Sequence, residues 1–165
     1  MRSMFLAPVA GVLMIAFVPA QAATKQTTMG VSAAVAANCV VSAANLSFGS
    51  YDASTAKSGS ADMTVRCSNG TPYTVKLSPG SGTFTQRLLT SGSNSLEYNL
   101  YTSSALTSVW GDGSPNTVTM GGTGAGLASA SALTHTVYGE LPNTDNNKNA
   151  PTGNYSDTIT VTVEY

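Results

Sequence analysis

The side chains with catalytic potential in this sequence are few and scattered. His135 is the single histidine, and no serine stands in a nucleophile-elbow context that would pair with it. Residues 121–126 are rich in glycine, but they lack the G-x-G-x-x-G order and any following Lys-Ser or Lys-Thr, so they predict a flexible or turn-forming loop. No motif brings a nucleophile, a base and an orienting group together. The sequence therefore predicts no enzyme activity, and we expect His135 to be a half-exposed strand residue.

Two other segments have the composition of a ligand site. The sequence Asp-Asn-Asn at residues 145–147 resembles part of a calcium loop, but the glycine and the distant glutamate of that pattern are missing, which favours a solvated turn. Trp110 precedes the turn sequence Gly-Asp-Gly, where a tryptophan would suit stacking on a sugar. Packing on the core or a sheet edge is the favoured interpretation, with Asp112 and Gly113 supplying positive φ angles. We expect no metal and no cofactor.

Cys39 and Cys67 are the only cysteines in the chain. An even pair in an exported protein predicts one disulfide, because a metal site would need further ligands and a redox pair would need C-x-x-C spacing. Closing a loop of about 28 residues, the bridge would stabilise the fold by about 3.5 kcal/mol in the chain-entropy model. It would also place the first strand beside or across from the strand that contains Met63.

The amino terminus has the features of a signal peptide in residues 1–22. Arg2 precedes an apolar stretch at residues 4–18, and Ala20 and Ala22 form the A-x-A cleavage pattern. The stretch is shorter than the ~20 residues that span a bilayer, so we expect cleavage and export rather than a retained anchor. The remainder is long enough for one domain.

Charge is scarce in the chain and evenly divided between the two signs. Charged residues make up 9% of the sequence, with seven Lys and Arg against eight Asp and Glu, whereas soluble proteins average about 25%. No cluster of Lys and Arg is present to bind phosphates. Nucleic acid and anionic membrane surfaces are therefore excluded as partners, and no direct membrane insertion is expected.

Many short runs of strand-forming residues, separated by Gly and Pro turns, predict an all-β sandwich. The predicted strands cover residues 31–41, 46–51, 61–67, 73–77, 88–90, 96–101, 118–120, 134–140 and 158–165. Alternation within two of these runs places one side of each strand inward: Met63, Val65 and Cys67, and Tyr73, Val75 and Leu77.

Strand-forming alternation reaches both ends of the mature chain. At the carboxyl end the apolar positions are Ile159, Val161, Val163 and Tyr165. At the amino end the corresponding positions are Thr27, Met29, Val31, Ala33 and Val35. A sandwich that lacks one strand exposes an apolar groove and unpaired backbone groups, and a strand from another chain can fill it. The pattern alone fits equally well an ordinary first strand that pairs within its own domain.

A series of short motifs lies in order along the mature sequence: Cys39, LSFGSY at 46–51, VRC at 65–67, YTVKL at 73–77, LEYNLY at 96–101, WGDG at 110–113, VYG at 137–139 and residues 153–165. Together they resemble the spore coat protein U domain, the subunit family of archaic chaperone–usher pili of the Csu type. Arg87-Leu88-Leu89 is a conservative departure from the Arg-Met usual in such subunits.

The resemblance implies an incomplete immunoglobulin-like β-sandwich completed by a donor strand from another chain. It divides the chain into a signal peptide at 1–22, a donor-strand extension at 23–36 and a pilin domain at 37–165. Implied partners are a periplasmic chaperone, an outer-membrane usher and identical or homologous pilin subunits. The donor positions would be Thr27, Met29, Val31, Ala33 and Val35, and the acceptor edge would be Ile159, Val161, Val163 and Tyr165.

The implied function is a structural pilus subunit, in the shaft rather than at the tip, that is exported through the periplasm to the cell surface and serves adhesion and biofilm formation. The competing hypothesis is a secreted monomeric β-sandwich that binds carbohydrate or another surface polymer through Trp110 and its neighbouring loops.

Overall fold

The alternating residues of the sequence form the two longest strands of the protein, β2 (Lys57–Cys67) and β7 (Leu133–Leu141), which pair antiparallel. They belong to a computed structural model that describes residues 19–165. In β2 the side chains of Met63, Val65 and Cys67 are buried, while those of Thr64 and Arg66 are half-buried. The predicted inward face is therefore confirmed, and β3 (Pro72–Leu77) buries its predicted face in the same way.

The strands of the described residues form two antiparallel sheets. The other strands are β1 (Cys39–Ala43), β4 (Arg87–Ser91), β5 (Asn94–Tyr101), β6 (Met120–Thr123) and β8 (Val161–Glu164). One sheet has the order β1-β2-β7-β5-β4, and the other has the order β6-β3-β8. The architecture is an immunoglobulin-like sandwich that lacks one strand, which confirms the predicted fold class.

Both sheets contribute to a single apolar core. Its buried members are Met63, Val65, Cys67, Tyr73, Val75, Leu77, Leu96, Tyr98, Leu100, Trp110, Val137 and Leu141. Partly buried side chains from both sheets pack against this core, among them Leu46, Phe48, Ile159 and Val161. The core is therefore incompletely covered at these positions.

The predicted disulfide joins Cys39 and Cys67. These residues are direct partners in the register between β1 and β2, so the first strand lies beside the strand of Met63. The bond attaches β1, the edge strand of its sheet, at its amino-terminal end.

Strand boundaries differ from the prediction at several places. The run at 31–41 contributes a strand only from Cys39, residues 46–51 form no strand, and the run at 118–120 appears as β6 two residues later. The run at 158–165 is a strand only over Val161–Glu164. An alternating sequence becomes a strand only where another backbone pairs with it.

The glycine-rich segment is not simply the flexible loop that its composition predicts. Gly121 and Gly122 belong to β6 and pair with Thr74 and Tyr73. A Cβ atom at Gly124 would lie 2.5 Å from the backbone oxygens of Cys67 and Ser68. The glycines permit close approach of backbones, and flexibility is not their role here.

Residues 145–147 also differ from the predicted solvated turn. They belong to the one-turn helix α1 (Asp145–Lys148), which Thr144 caps by accepting a hydrogen bond from the amide of Asn147. The side chain of Asn147 is buried and bonds to both the amide and the carbonyl of Glu97 on β5, at 2.7 and 2.9 Å. The asparagine therefore extends the β5 backbone pairing instead of facing water.

Residues 1–34 and 35–165 form separate units of the chain. In the first unit, residues 19–34 are exposed and belong to no helix or strand. Most of the predicted signal peptide, residues 1–18 of 1–22, lies outside the described residues. Within 19–165, the helices are too short and too polar to cross a bilayer.

Candidate strand-acceptor groove

A groove of about 550 Å³ opens into the core on the side where the sandwich is unfinished. One wall comes from the segment after β1, including Leu46 and Phe48, and the other comes from Ile159 and Val161. Core side chains form its floor: Met63, Leu77, Leu89, Tyr98, Leu100 and Val137. An apolar floor with chain on both sides is the shape that accepts an extended peptide.

The wall formed by Leu46 and Phe48 is held in place by two glycines. Gly59 and Gly139 are direct partners in the β2–β7 register and face inward. A Cβ atom at Gly139 would lie 2.9 Å from the ring of Phe48 and 3.1 Å from Leu46. The missing side chains make room for Leu46 and Phe48 to pack closely on the paired strands β2 and β7.

Strand β8 forms the opposite wall and is paired on one edge. Its register with β3 runs from Thr74 opposite Glu164 to Leu77 opposite Val161, and Ser78 extends it by bonding to Thr160. Among the described residues, the ladder partners of β8 all come from that one side. The other edge of β8 therefore presents backbone groups along the groove.

Burial shows the same asymmetry between facing strands. On β3 the inward side chains of Tyr73, Val75 and Leu77 are at most 4% exposed. On β8 the inward side chains of Val161 and Val163 are only half-buried. In the facing wall, Leu46 and Phe48 are likewise only half-buried. Side chains on both walls thus lack the cover that one more strand would provide.

A second cavity of about 890 Å³ continues the groove toward the chain that precedes β8. It runs between residues 46–53 and residues 150–157. The two cavities meet at four side chains that line both of them: Leu46, Phe48, Leu89 and Asp157. The two cavities therefore adjoin along the chain segment from residue 150 to Val161.

Asp157 is fixed at this meeting point by four hydrogen bonds. Its carboxylate accepts from the amide and hydroxyl of Ser81 at 3.0 and 2.8 Å, from the hydroxyl of Tyr98 at 2.6 Å and from the amide of Thr158 at 2.8 Å. Burial, followed by the bond to Asp157, raises the pKa of Tyr98 far above its usual value. The tyrosine therefore stays protonated and keeps donating to the carboxylate.

Sequence reasoning did not single out Asp157, Leu46 or Phe48 as parts of the site. A signal was present, because Asp157 continues the two-residue period of Ile159, Val161 and Val163. Leu46 and Phe48 share a similar period within a run that was predicted as a strand. That these two runs face each other depends on long-range packing.

The core also contains a buried cation, which lies near the groove-lining residues Tyr98 and Asp157. Arg87 is fully buried and donates to the carbonyls of Ser78 and Trp110, at 2.9 and 2.7 Å, and to the side-chain oxygen of Asn99 at 2.6 Å. Its guanidinium lies 5.5 Å from the ring centre of Phe84. Burial lowers the pKa of Arg87, and the nearby Tyr98 and Asp157 oppose that shift.

The predicted acceptor residues contribute to the site to different extents. Ile159 and Val161 line the groove, and Val163 packs half-buried against the core. Tyr165 follows β8 and is 60% exposed. Every predicted donor position is exposed and outside any strand, with Met29 and Val31 more than 80% exposed: Thr27, Met29, Val31, Ala33 and Val35.

The residues considered for sugar binding and catalysis have structural roles in the fold. Trp110 is completely buried and donates from its indole to the carbonyl of Val75 at 3.1 Å, so it offers no face to a sugar. His135 is half-buried and shares a 2.8 Å hydrogen bond with the hydroxyl of Tyr73. Gly113 has the predicted positive φ in the turn after Trp110, but Asp112 does not. Within residues 19–165, no group of acidic, Cys or His side chains is placed to hold a metal ion.

Comparison with known proteins gives a family match, matches to solved structures and one negative result. A family model of the Spore Coat Protein U domain matches residues 25–162. A chain in the crystal structure of the CsuC–CsuE chaperone–tip adhesion subunit pre-assembly complex, from archaic chaperone–usher Csu pili of Acinetobacter baumannii, is similar with a TM-score of 0.55 and 27% identity. That match covers 79% of this chain but only 40% of the other. No curated protein sequence matches significantly.

Proposed function

This chain belongs to the Spore Coat Protein U domain family, and we propose that it is a structural subunit of a chaperone–usher pilus. In this proposal each subunit fills the groove of another with its own amino-terminal segment, residues 23–36, and residues 37–165 form the receiving domain. The observation that carries the proposal is the groove itself, whose two walls each present side chains that face inward without being buried.

The geometry of the groove supports a strand as its occupant. One backbone edge of β8 is available for a ladder, and the apolar floor lies under alternate positions of an extended chain. A strand laid there would cover Phe48, Val161 and Val163 and join the sheet of β6, β3 and β8. The folding of the receiving subunit would then be completed by assembly.

The chain carries a matching donor in its own sequence. The side chains of Met29, Val31 and Val35 are exposed and share the two-residue period of β8. Burying each of them would contribute on the order of 1.5 to 3 kcal/mol before the cost of ordering the segment is subtracted. The backbone ladder would add to this. Contacts of this kind would hold a filament together without covalent bonds.

The similar structure supports the identity of the other partners. That structure is a pre-assembly complex of a chaperone and a tip adhesion subunit, and we infer that a periplasmic chaperone occupies the groove of this chain before a sister subunit does. An outer-membrane usher would then export the filament to the cell surface. Adhesion and biofilm formation are the roles that we propose for the finished fibre.

Removal of the donor tests this function. The mature chain, co-expressed with its chaperone, should form polymers that resist detergent until boiled, whereas a variant lacking residues 23–35 should remain as a single chaperone-bound species. The matched pair of variants keeps the length constant: Met29→Ser with Val31→Ser should abolish polymers, and Thr28→Ala with Ser32→Ala should not. Unchanged polymerisation of the deletion variant would refute the proposal.

A further inference from the structure

We propose that Met29 is a site of reversible oxidation, at which a peroxide prevents a free subunit from donating its amino-terminal strand. The site adds a chemical control of assembly to the proposed function, on which this inference rests. The reaction would act on subunits that have not yet been assembled. It would spare Met29 once the donor segment lies in the groove of a sister subunit.

The methionines of the described chain differ sharply in exposure. Met29 is 84% exposed, Met63 is 1% exposed, and Met120 is half-buried against the core. Residues 19–165 contain these three methionines and no other. Because an oxidant must reach the sulfur before it can react, exposure selects the methionine that is oxidised. Met29 is therefore the methionine that a peroxide in the surrounding solution reaches first.

The segment around Met29 offers its sulfur no cover. Residues 19–34 are exposed and belong to no helix or strand. Thr28 and Gly30 flank the methionine, and among the described residues no atom outside the immediate chain lies within 4 Å of a Cβ atom placed at Gly30. Solvent therefore has access to the side chain of Met29 from more than one direction.

The reaction converts the thioether of Met29 into a sulfoxide. The sulfur attacks one oxygen of hydrogen peroxide, an S–O bond forms and the O–O bond breaks. The second oxygen takes up the proton of the transferred one and leaves as water, so sulfur loses the two electrons that the peroxide gains. An apolar, flexible side chain thereby becomes a polar one with a hydrogen-bond acceptor. Methionine sulfoxide reductases reverse the step with a dithiol, which is oxidised to a disulfide while the oxygen leaves as water.

The groove suits the thioether and lacks a free partner for the sulfoxide. Its apolar floor consists of Met63, Leu77, Leu89, Leu100 and Val137. The polar side chains of the lining include the carboxylates of Asp62 and Asp157, which accept hydrogen bonds and would repel the sulfoxide oxygen. The hydroxyl of Tyr98 already donates to Asp157 at 2.6 Å, and the amide of Asn45 is exposed. A sulfoxide over this floor would therefore lose its bonds to water without replacement.

Met29 differs in this respect from the other large apolar donor positions. Val31 and Val35 are also exposed, but they contain no atom that a peroxide oxidises. We expect the sulfoxide to weaken binding of the donor by roughly tenfold to a hundredfold, because a polar group is buried without a partner. A filament would then stop growing when the next subunit carries an oxidised Met29, while the joined subunits keep theirs covered.

Hydrogen peroxide is the probe for the site. Chaperone-bound subunits and assembled polymers are treated with it, and peptide mass spectrometry measures the sulfoxide at each methionine. In subunits we expect Met29 to be oxidised roughly tenfold faster than Met63, and in polymers we expect Met29 to react roughly tenfold more slowly than in subunits. A rate at Met29 no higher than that at Met63 in subunits would overturn the inference. Equal reactivity of Met29 in polymers and subunits would refute the proposed function as well.

Polymerisation of the treated subunits tests the block. Peroxide should slow the unmodified mature chain by roughly tenfold or more. It should not change the rate of Met29→Leu, because leucine keeps the apolar volume and has no sulfur. Methionine sulfoxide reductase with a dithiol should restore the unmodified chain, and an unoxidised sample in the same mixture controls for reduction of the disulfide between Cys39 and Cys67. Equal slowing of both chains by peroxide would overturn the inference and leave the proposed function intact.

A peptide titration does not depend on how fast any variant polymerises. The receiver is the full mature chain with Met29→Ser and Val31→Ser, whose groove is unaltered, bound to the chaperone. Peptides of residues 23–36 carry either methionine or methionine sulfoxide at position 29, and release of the chaperone is measured. We expect the sulfoxide peptide to require a roughly tenfold to hundredfold higher concentration. Equal potency of the two peptides would overturn the inference alone, whereas failure of both to bind would refute the proposed function and the inference with it.

Discussion

The buried cluster around Arg87 and the groove beside β8 belong to the same core, but they differ in how fully their polar groups are paired and their apolar side chains are buried. Around Arg87 the buried guanidinium, the amide of Asn99 and the indole of Trp110 all have hydrogen-bond partners. Beside β8 one backbone edge is available, and inward valines are half-exposed. One region is complete within the chain, whereas the other has the form of a binding site for backbone.

The contrast separates two uses of the same strand pattern. Where β3 lies between β6 and β8, alternation produces buried side chains and a filled ladder. Where β8 has a neighbour on one side only, the same alternation produces an apolar surface in need of cover. Variants in the two regions should therefore respond differently to a donor peptide.

The largest effect is expected from Arg87→Met in the complete region. The substitution leaves the carbonyls of Ser78 and Trp110 and the oxygen of Asn99 without their buried donor, which should lower the free energy of unfolding by about 3 to 5 kcal/mol. The free energy of unfolding is measured by urea denaturation of the chain lacking residues 23–35, with and without a peptide of residues 23–36. Arg66→Met on the outward face is the control, and comparable losses from the two variants would contradict the account.

The second-largest loss in the free energy of unfolding is expected from removal of the disulfide. Cys39→Ser with Cys67→Ser releases the attached end of β1 and should cost about 3.5 kcal/mol by the chain-entropy argument. Because β1 leads into one wall of the groove, the variant should also bind the donor peptide more weakly. Equal peptide affinity with and without the disulfide would show that the wall does not depend on this attachment.

A pair of valine truncations compares the two regions directly. Val75→Ala, in the fully buried β3, should cost about 2 kcal/mol, whereas Val163→Ala in β8 should cost less than about 1 kcal/mol without donor. The donor peptide should raise the cost of Val163→Ala and leave that of Val75→Ala unchanged. Urea unfolding in both states gives the four values, and a constant difference between the variants would contradict the open-groove interpretation.

The smallest effect is expected from the acid titration of His135. Burial lowers the pKa of His135 below 6.5 in the folded chain, so the unfolded chain binds more protons as the pH falls below that value. The free energy of unfolding should therefore decline from about pH 6.5 downward until the folded pKa is passed. His135→Gln should flatten this part of the curve, and unfolding curves that remain parallel for the two proteins would contradict it.

Local periodicity predicted the parts of the fold that depend on it. The inward faces of β2 and β3 follow from alternation, and the disulfide follows from an even pair of cysteines in a chain that was predicted to be exported. The strand boundaries at 31–41 and 46–51 did not follow, because a strand needs a partner that local sequence cannot supply. The buried Asn147 was missed for a similar reason, since its partner Glu97 is distant in sequence.

The groove itself was predictable only in part. Ile159 and Val161 were identified from the period of the last strand, and the structure places both along the groove. The opposite wall requires the paired glycines at 59 and 139, and their pairing across β2 and β7 is a long-range contact. Asp157 fits the two-residue period of the last strand, but a search for apolar positions passes over it because it is polar. Its position in the groove depends on hydrogen bonds from Ser81 and Tyr98.

Thermal unfolding with added peptide shows whether a strand from a sister chain completes this core. The chain lacking residues 23–35 is heated with increasing amounts of the peptide of residues 23–36. We expect the midpoint temperature to rise steadily with peptide, and the added free energy of unfolding to reach about 2.7 kcal/mol at a peptide concentration one hundred times the dissociation constant. A midpoint that is already high and independent of the peptide would contradict it.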